Sequence, residues 1–303
     1  MRAVVFAYHN VGVRCLRVLL ARGVEVALVV THQDNPAEQI WFESVAALCE
    51  EQRIACITPD DPATEGVFAQ VRAVAPDFIF SFYYRHMLPL PLLQLARAGA
   101  FNMHGSLLPK YRGRVPVNWA VLFGEQTTGA TLHEMAAKPD AGAIVAQTTV
   151  PILPDDTAFD VFGKVVVAAE MTLWNVLPEM LAGRTPRLPN DLSQGSYYGG
   201  RKAADGEIDW HQPAQKIYNL YRAVAPPYPG AWTRVGDTTY VIGKARMAVS
   251  LHPDLPAGLA VVDNRILAVG VDGHALAVSE LVADGVAVTS AQLQAALAEQ
   301  AIQ

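Results

Sequence analysis

Asn102 and His104 stand two positions apart at the end of an apolar, strand-like run, Ala98 to Met103. In an extended strand alternate residues share one face, so the amide and the imidazole reach the same space. A loop rich in Gly, Pro and basic residues follows, and the chain later arrives at Lys138-Pro139-Asp140. A side-chain amide to meet a developing oxyanion, an imidazole to accept a proton and a carboxylate to orient or charge-tune that imidazole form a working set for acyl transfer. Ser106 lies nearby, but no G-x-S-x-G turn surrounds it. The pattern therefore favours an external nucleophile, with acyl transfer between two bound small molecules. Spacing alone leaves a second reading open for each part. Asn-x-His at a strand end also occurs as a structural pair, Asp140 beside Pro139 as a turn former, and Lys110, Arg112 and Arg114 as a solvated basic turn.

The elements that must position these residues alternate. Ala3–Ala7, Val24–Thr31 and Asp77–Phe82 read as strands buried on both faces, with a short strand at Ala55–Ile57. Helical patterns cover Val13–Ala21, Phe42–Glu51 and Val67–Val74. This alternation predicts an α/β fold with a Rossmann-like, doubly wound, mostly parallel sheet. Ligands of such sheets bind beyond the carboxyl ends of the strands. There the first turn reads Tyr8-His9-Asn10-Val11-Gly12 rather than G-x-G-x-x-G, which speaks against NAD or a flavin. Strands at Ala130–Met135 and Ile144–Val150 follow, then a long helix from Ala158 to about Leu181. Arg184 to Gly206 is dense in Pro, Gly, Ser and Asn, and 191–206 within it reads as a linker between a catalytic domain, 1–190, and a second domain, 207–303. Short runs with regular turns after Gly230 predict a small OB-like β-barrel, closed by a helix over Ala291–Gln300.

The bulk numbers narrow the classes. Of 303 residues 51% are hydrophobic and 17% charged, enough for two cores, and the formal net charge is -6, which disfavours nonspecific binding to nucleic acid or an anionic membrane. No uninterrupted apolar run has the length of a membrane span, and no signal peptide is evident, so a cytoplasmic protein is expected. Cys15, Cys49 and Cys56 make no C-x-x-C pair and read as reduced, buried thiols. No His, Cys and Asp cluster has metal-ligand spacing, so no metal is expected.

Taken together, Asn102-Met103-His104, Ser106-Leu107-Leu108-Pro109, Arg112-Gly113, Thr128-Gly129-Ala130-Thr131-Leu132-His133 and Asp140-Ala141-Gly142 resemble the 10-formyltetrahydrofolate-dependent formyltransferases. Ile208-Asp209-Trp210 and Pro229-Gly230-Ala231 fit that family's second domain, so the resemblance spans roughly residues 1 to 250. It implies Asn102, His104 and Asp140 as catalytic residues. It also implies a pterin pocket lined by His86, Met87, Leu88, Arg114 and the loop Ala136, Ala137, Lys138, Pro139 and Asp140. 10-Formyltetrahydrofolate would be the formyl donor. Phe80–His86, Gly105 and Arg114 are similar to the branch that formylates UDP-4-amino-4-deoxy-L-arabinose in lipid A modification and polymyxin resistance. Tyr8, Arg114 and Arg201 are the expected nucleotide contacts, the loop cations suiting a pyrophosphate; His9, His32 and His133 are expected to be structural. In that branch a dehydrogenase/decarboxylase is fused to the formyltransferase. Here the chain ends at Gln303, which places that step on a separate partner.

Three alternatives remain. Methionyl-tRNA formyltransferases usually carry Ala where Gly105 stands, and they need a basic surface. From Ala204 to Gln303 six basic residues face ten acidic ones, a poor platform for tRNA. Another nucleotide-linked 3- or 4-amino sugar is harder to separate from the arabinose. The third is a folate- or nucleotide-binding protein without catalysis, against which the intact Asn102, His104 and Asp140 speak.

Overall fold

β1 (Arg2–Ala7), β2 (Glu25–Val30), β3 (Cys56–Ile57), β4 (Phe78–Phe82) and β5 (Gly99–His104) pair in parallel, in the order β3-β2-β1-β4-β5. Every residue of β4 is buried, as the continuous apolar sequence of a two-sided strand requires. Helices α1 (His9–Ala21), α2 (Val45–Gln52), α3 (Glu65–Val74) and α4 (Leu90–Leu93) make the crossovers. α1 starts at His9, one turn earlier than its apolar pattern predicts, so Tyr8 to Gly12 is a helix start rather than a loop. Its buried face runs from Val11 to Leu19, and Gly23 at φ 74 lets the chain turn into β2.

After β5 come the short strand β6 (Arg112–Gly113), α5 (Pro116–Leu122), and two longer strands, β7 (Thr127–Glu134) and β8 (Ile144–Pro151). β7 joins β5 antiparallel and β8 joins β7, which completes a seven-stranded sheet. Phe6, Phe78, Phe80, Phe82 and Phe101 are fully buried in its core. α6 (Ala158–Leu181) has the length and apolarity of a membrane span, but 56% of its apolar window is buried within the fold.

The stretch expected to be a linker is ordered. A 3-10 turn over Leu192–Gln194 leads to β9 (Tyr197–Tyr198), which pairs with β6. A second such turn covers Ala203–Gly206. The Gly- and Ser-rich composition reflects close approach here rather than freedom: a Cβ on Gly113, at φ 97, would strike the Tyr198 carbonyl.

The described residues, 1–36, 38 and 40–300, fall into two compact units. One comprises Met1–Pro116, Thr127–Pro151 and Phe162–Gly199; the other comprises Val117–Gln126, Ile152–Val161 and the chain from Gly200 onward. The units interleave in sequence, where a single cut at 191–206 was expected. Residues 301–303, the end of the domain expected over 207–303, lie outside the described residues.

In the second unit α7 (Ala214–Val224) precedes β10 (Ala231–Val235), β11 (Thr238–Met247), β12 (Gly258–Val262), β13 (Arg265–Val269), β14 (Ala275–Ala283) and β15 (Val286–Ala287), with α8 (Ser290–Gln300) last. The strands form a curled antiparallel sheet in the order β10-β11-β14-β13-β12, β15 pairing with β14. Among the cysteines Cys15 and Cys49 are buried, whereas Cys56 is only half-buried.

Candidate active site

The antiparallel register of β5 on β7 sets Asn102 opposite His133 and His104 opposite Thr131. Cross-strand partners share a face, so the face carrying Asn102 and His104 also carries a second histidine. His133, expected to be structural, stands on that face. It is 2% exposed, its Nδ1 lies 2.8 Å from the Glu134 carbonyl, and its Nε2 lies 3.1 Å from Asn102 Nδ2 and 3.3 Å from Asp140 Oδ1. A carbonyl only accepts, so His133 Nδ1 carries hydrogen. Nε2 then faces both the Asn102 amide and the Asp140 carboxylate: as a lone pair it accepts an Asn102 N–H, and as an N–H it donates to Asp140. The sequence signal was present in the alternation of β7, but it needs the β5–β7 register, which no local pattern supplies.

Asp140 comes from the loop between β7 and β8, at φ 49. Asn190 Nδ2 ties the loop by donating to the carbonyls of Asp140 (3.1 Å) and Gly142 (2.9 Å). Asp140 Oδ2 accepts the Gly113 N–H at 2.9 Å, and Oδ1 faces His104 Nδ1 at 3.6 Å. Burial opposes its negative charge, yet His104 and His133 in their protonated forms, with the Gly113 N–H, outweigh burial and hold the carboxyl well below the usual carboxylate range.

His104 is likewise buried. Nε2 lies 2.8 Å from the Tyr111 carbonyl and must donate to it, which leaves Nδ1 as the nitrogen able to take up a proton. Burial pushes the imidazole below its ordinary value, and Asp140 and the Tyr111 carbonyl only partly offset this. His104 is thus neutral near pH 7, with a carboxylate placed to stabilise the imidazolium once it forms.

The Tyr111 carbonyl is fixed by its own loop. Ser106 Oγ donates to the Lys110 carbonyl at 2.7 Å, and Thr131 Oγ1 donates to the Ser106 carbonyl at 2.6 Å. Gln147 Nε2 donates to the Leu108 carbonyl at 2.9 Å. Ser106 is therefore a loop brace. Arg112 is buried with its guanidinium 5.9 Å from the Tyr197 ring centre, while Lys110 and Arg114 are exposed.

The remaining expected residues are spread. Leu88 is buried in an apolar cluster against which Met135 packs, so the segment 86–88 and the start of the 135–140 loop meet there. Met87 is 62% exposed, and His86, Ala136, Ala137 and Lys138 are exposed. Tyr8 departs from the expected nucleotide contact: it is 4% exposed and its hydroxyl donates to Asp34 at 2.7 Å. Arg201 belongs to the second unit, where its guanidinium lies 4.9 Å from the Trp119 ring centre and donates to the Asp205 carbonyl. A cavity of about 610 Å³ in that unit is lined by Trp119, Phe123 and Arg201 among others, and by none of the four polar residues above. The polar chemistry, not the cavity, marks the candidate site, because an amide donor, an imidazole and a carboxylate converge there. Among the described residues no group of three or more His, Cys, Asp or Glu is placed to hold a metal.

Known proteins share both parts of this architecture. WlaRD, a sugar 3N-formyl transferase solved in the presence of dTDP and 5-N-formyl-THF, is 19% identical over 92% of this chain and 97% of its own, with a TM-score of 0.72. The N-formyltransferase from Helicobacter canadensis, in complex with folinic acid and dTDP-3-aminofucose, is 19% identical over 91% and 98%, also at 0.72. HypX from Aquifex aeolicus, in complex with tetrahydrofolic acid, is 18% identical over 97% of this chain and 46% of its own, at 0.66. At these identities the likeness is one of fold. The family models go further: formyl transferase matches residues 2–177, and formyl transferase, C-terminal domain, matches 201–295. With Asn102, His104 and Asp140 assembled in the first of these regions and the curled sheet filling the second, the chain belongs to the formyl transferase family.

Proposed function

We propose that this enzyme moves the formyl group of 10-formyltetrahydrofolate to the amine of a nucleotide-linked amino sugar, with UDP-4-amino-4-deoxy-L-arabinose the acceptor, in the service of lipid A modification and polymyxin resistance. The observation that carries the chemistry is the neutral, buried His104 with Nε2 committed to a backbone carbonyl and Nδ1 beside Asp140. His104 accepts the amine's proton at Nδ1 as the amine attacks the formyl carbon. Asn102 donates an amide N–H to the oxyanion developing on the formyl oxygen. Asp140 stabilises the imidazolium, and His104 then returns the proton to the departing folate nitrogen. 10-Formyltetrahydrofolate supplies the formyl carbon. The partly apolar surface of Met87, with Leu88 and the exposed 136–138 loop, suits its pterin ring, and Arg114 suits its anionic end or the sugar nucleotide's pyrophosphate. The sugar acceptor is supported by the likeness to sugar N-formyltransferases and by the acidic second unit.

The reading takes the enzyme to be cytoplasmic, with α6 a core helix. A second acceptor, a dTDP-linked 3-amino sugar, is favoured by the ligand named for the Helicobacter canadensis protein. The test is to supply 10-formyltetrahydrofolate with each amino sugar in turn and follow tetrahydrofolate release. Turnover with the UDP-linked arabinose is expected. Turnover with the dTDP sugar alone moves the acceptor, and turnover with methionyl-tRNA alone rejects the sugar reading.

A further inference from the structure

The order β3-β2-β1-β4-β5 reverses direction between β1 and β4, and ligands of doubly wound sheets bind in the crevice at such a switch point. The residues just past the two strands are aromatic or imidazole groups in the left-handed region: His9 at φ 67 after β1 and Tyr83 at φ 57 after β4. Non-glycine residues held there are strained, and such strain collects at ligand sites. Around them a cluster of rings assembles. His9 stacks on Phe42 at 3.9 Å, with Trp41 and Phe162 edge-on at 4.7 and 4.8 Å, and Tyr83 lies 5.7 Å from Phe162. His9, Trp41, Phe42 and Tyr83 are each only half-buried. Asn10 Oδ1 accepts the Glu43 N–H at 2.8 Å and so pins the segment that carries Trp41 and Phe42.

The cluster touches the catalytic strand at one point. A Cβ on Gly105, the residue after His104, would overlap the Tyr83 hydroxyl. Gly105 is therefore the position that admits the phenol beside His104. Burial also pushes the His9 imidazole down to about 3, so the wall carries no imidazolium at neutral pH.

We propose that these rings are the acceptor wall of the site, that they take a nucleotide-linked pyranose by stacking on its flat faces, and that Tyr83, seated on Gly105, is the specificity-determining residue. This rests on the function proposed above. Stacking of a nucleobase on an aromatic side chain contributes about tenfold or more in affinity, and a pyranose face laid on Trp41 or Tyr83 is expected to contribute on the same order. The wall also gives Gly105 a physical role: alanine there displaces Tyr83 and reshapes the acceptor space without touching His104 itself.

Isothermal titration of the full chain with UDP-4-amino-4-deoxy-L-arabinose, with dTDP-3-aminofucose and with folinic acid tests it. The variants are Trp41→Ala, Tyr83→Ala, Tyr83→Phe and Gly105→Ala, each checked for an unchanged thermal midpoint. Trp41→Ala, Tyr83→Ala and Gly105→Ala are expected to weaken nucleotide-sugar binding about tenfold or more while folinic acid affinity stays within about twofold. Tyr83→Phe, which keeps the stacking face, stays near wild type. Unchanged nucleotide-sugar affinity in Trp41→Ala and Tyr83→Ala overturns the proposal, as does a loss that falls on folinic acid. If the wild type binds neither nucleotide sugar, the wall and the amino-sugar function fall together. If the variants lose binding but the wild type transfers no formyl group, the wall stands and the function falls.

Discussion

On the β5–β7 face, every ring nitrogen of His104 and His133 and both oxygens of Asp140 have a close polar neighbour. On the rim formed by the ends of β1 and β4, half-exposed rings pack mainly on one another. The first region commits one nitrogen of each ring, because the Tyr111 and Glu134 carbonyls only accept. The second fixes a shape and leaves the chemistry open. Proton transfer tolerates little error in position, whereas stacking on a flat ring tolerates much. On the proposals above, catalysis and acceptor choice rest on separate regions that meet at Gly105.

Substitutions on the face should strike turnover, and those on the rim should strike acceptor affinity. His104→Ala is expected to lower kcat about 10³-fold or more, read from tetrahydrofolate release, with the circular dichroism spectrum unchanged. Wild-type turnover in that variant would break the comparison at its strongest point. Asn102→Ala should cost about 10²-fold in kcat through loss of the oxyanion donor. A variant that loses acceptor affinity at constant kcat would move Asn102 to the rim's side of the divide. His133→Ala is expected to lower kcat about tenfold to 10²-fold with the acceptor KM nearly constant, since its ring only positions Asn102 and Asp140. A rise in KM alone would remove that positioning role.

A smaller effect concerns stability, and both regions share it. Burial lowers His9 to about 3 and His32 to about 4, and it lowers His104 as well, against 6.5 for the free side chain. Below pH 6.5 the unfolded chain binds protons that the folded chain refuses. The stabilisation is full above that value and is lost as pH falls toward 4 and below. Asp140, also held low, adds loss in the same direction at still lower pH. Urea unfolding at pH 7.5, 5.5 and 4.5 should show a falling free energy, and a constant one would contradict the buried, neutral state of these histidines.

Much of this was legible in the sequence for physical reasons. Continuous apolar runs such as Phe78–Phe82 can only be strands buried on both faces, so the doubly wound sheet follows from pattern. Asn102 and His104 share a face by strand geometry alone. His133 escaped because its role depends on pairing with a strand distant in sequence. Tyr8 misled because position at a strand end does not reveal that its hydroxyl is already engaged by Asp34. The division at Gly199 and Gly200 falls inside the stretch 191–206 expected as a linker, but the order of that stretch was not legible, because Gly and Ser mark close backbone approach as well as freedom, as Gly195 against Pro109 shows.

In the proposed mechanism His104 is neutral, holds hydrogen on Nε2 and offers Nδ1 to the acceptor's proton. Nitrogen NMR of the ¹⁵N-histidine-labelled protein, with the His104 signals assigned by a His104→Gln variant, reads this directly across a pH titration. The expected result is an Nε2–H imidazole at pH 7 with a midpoint below 6.5. An imidazolium persisting at pH 7, or a neutral ring protonated on Nδ1, would contradict it.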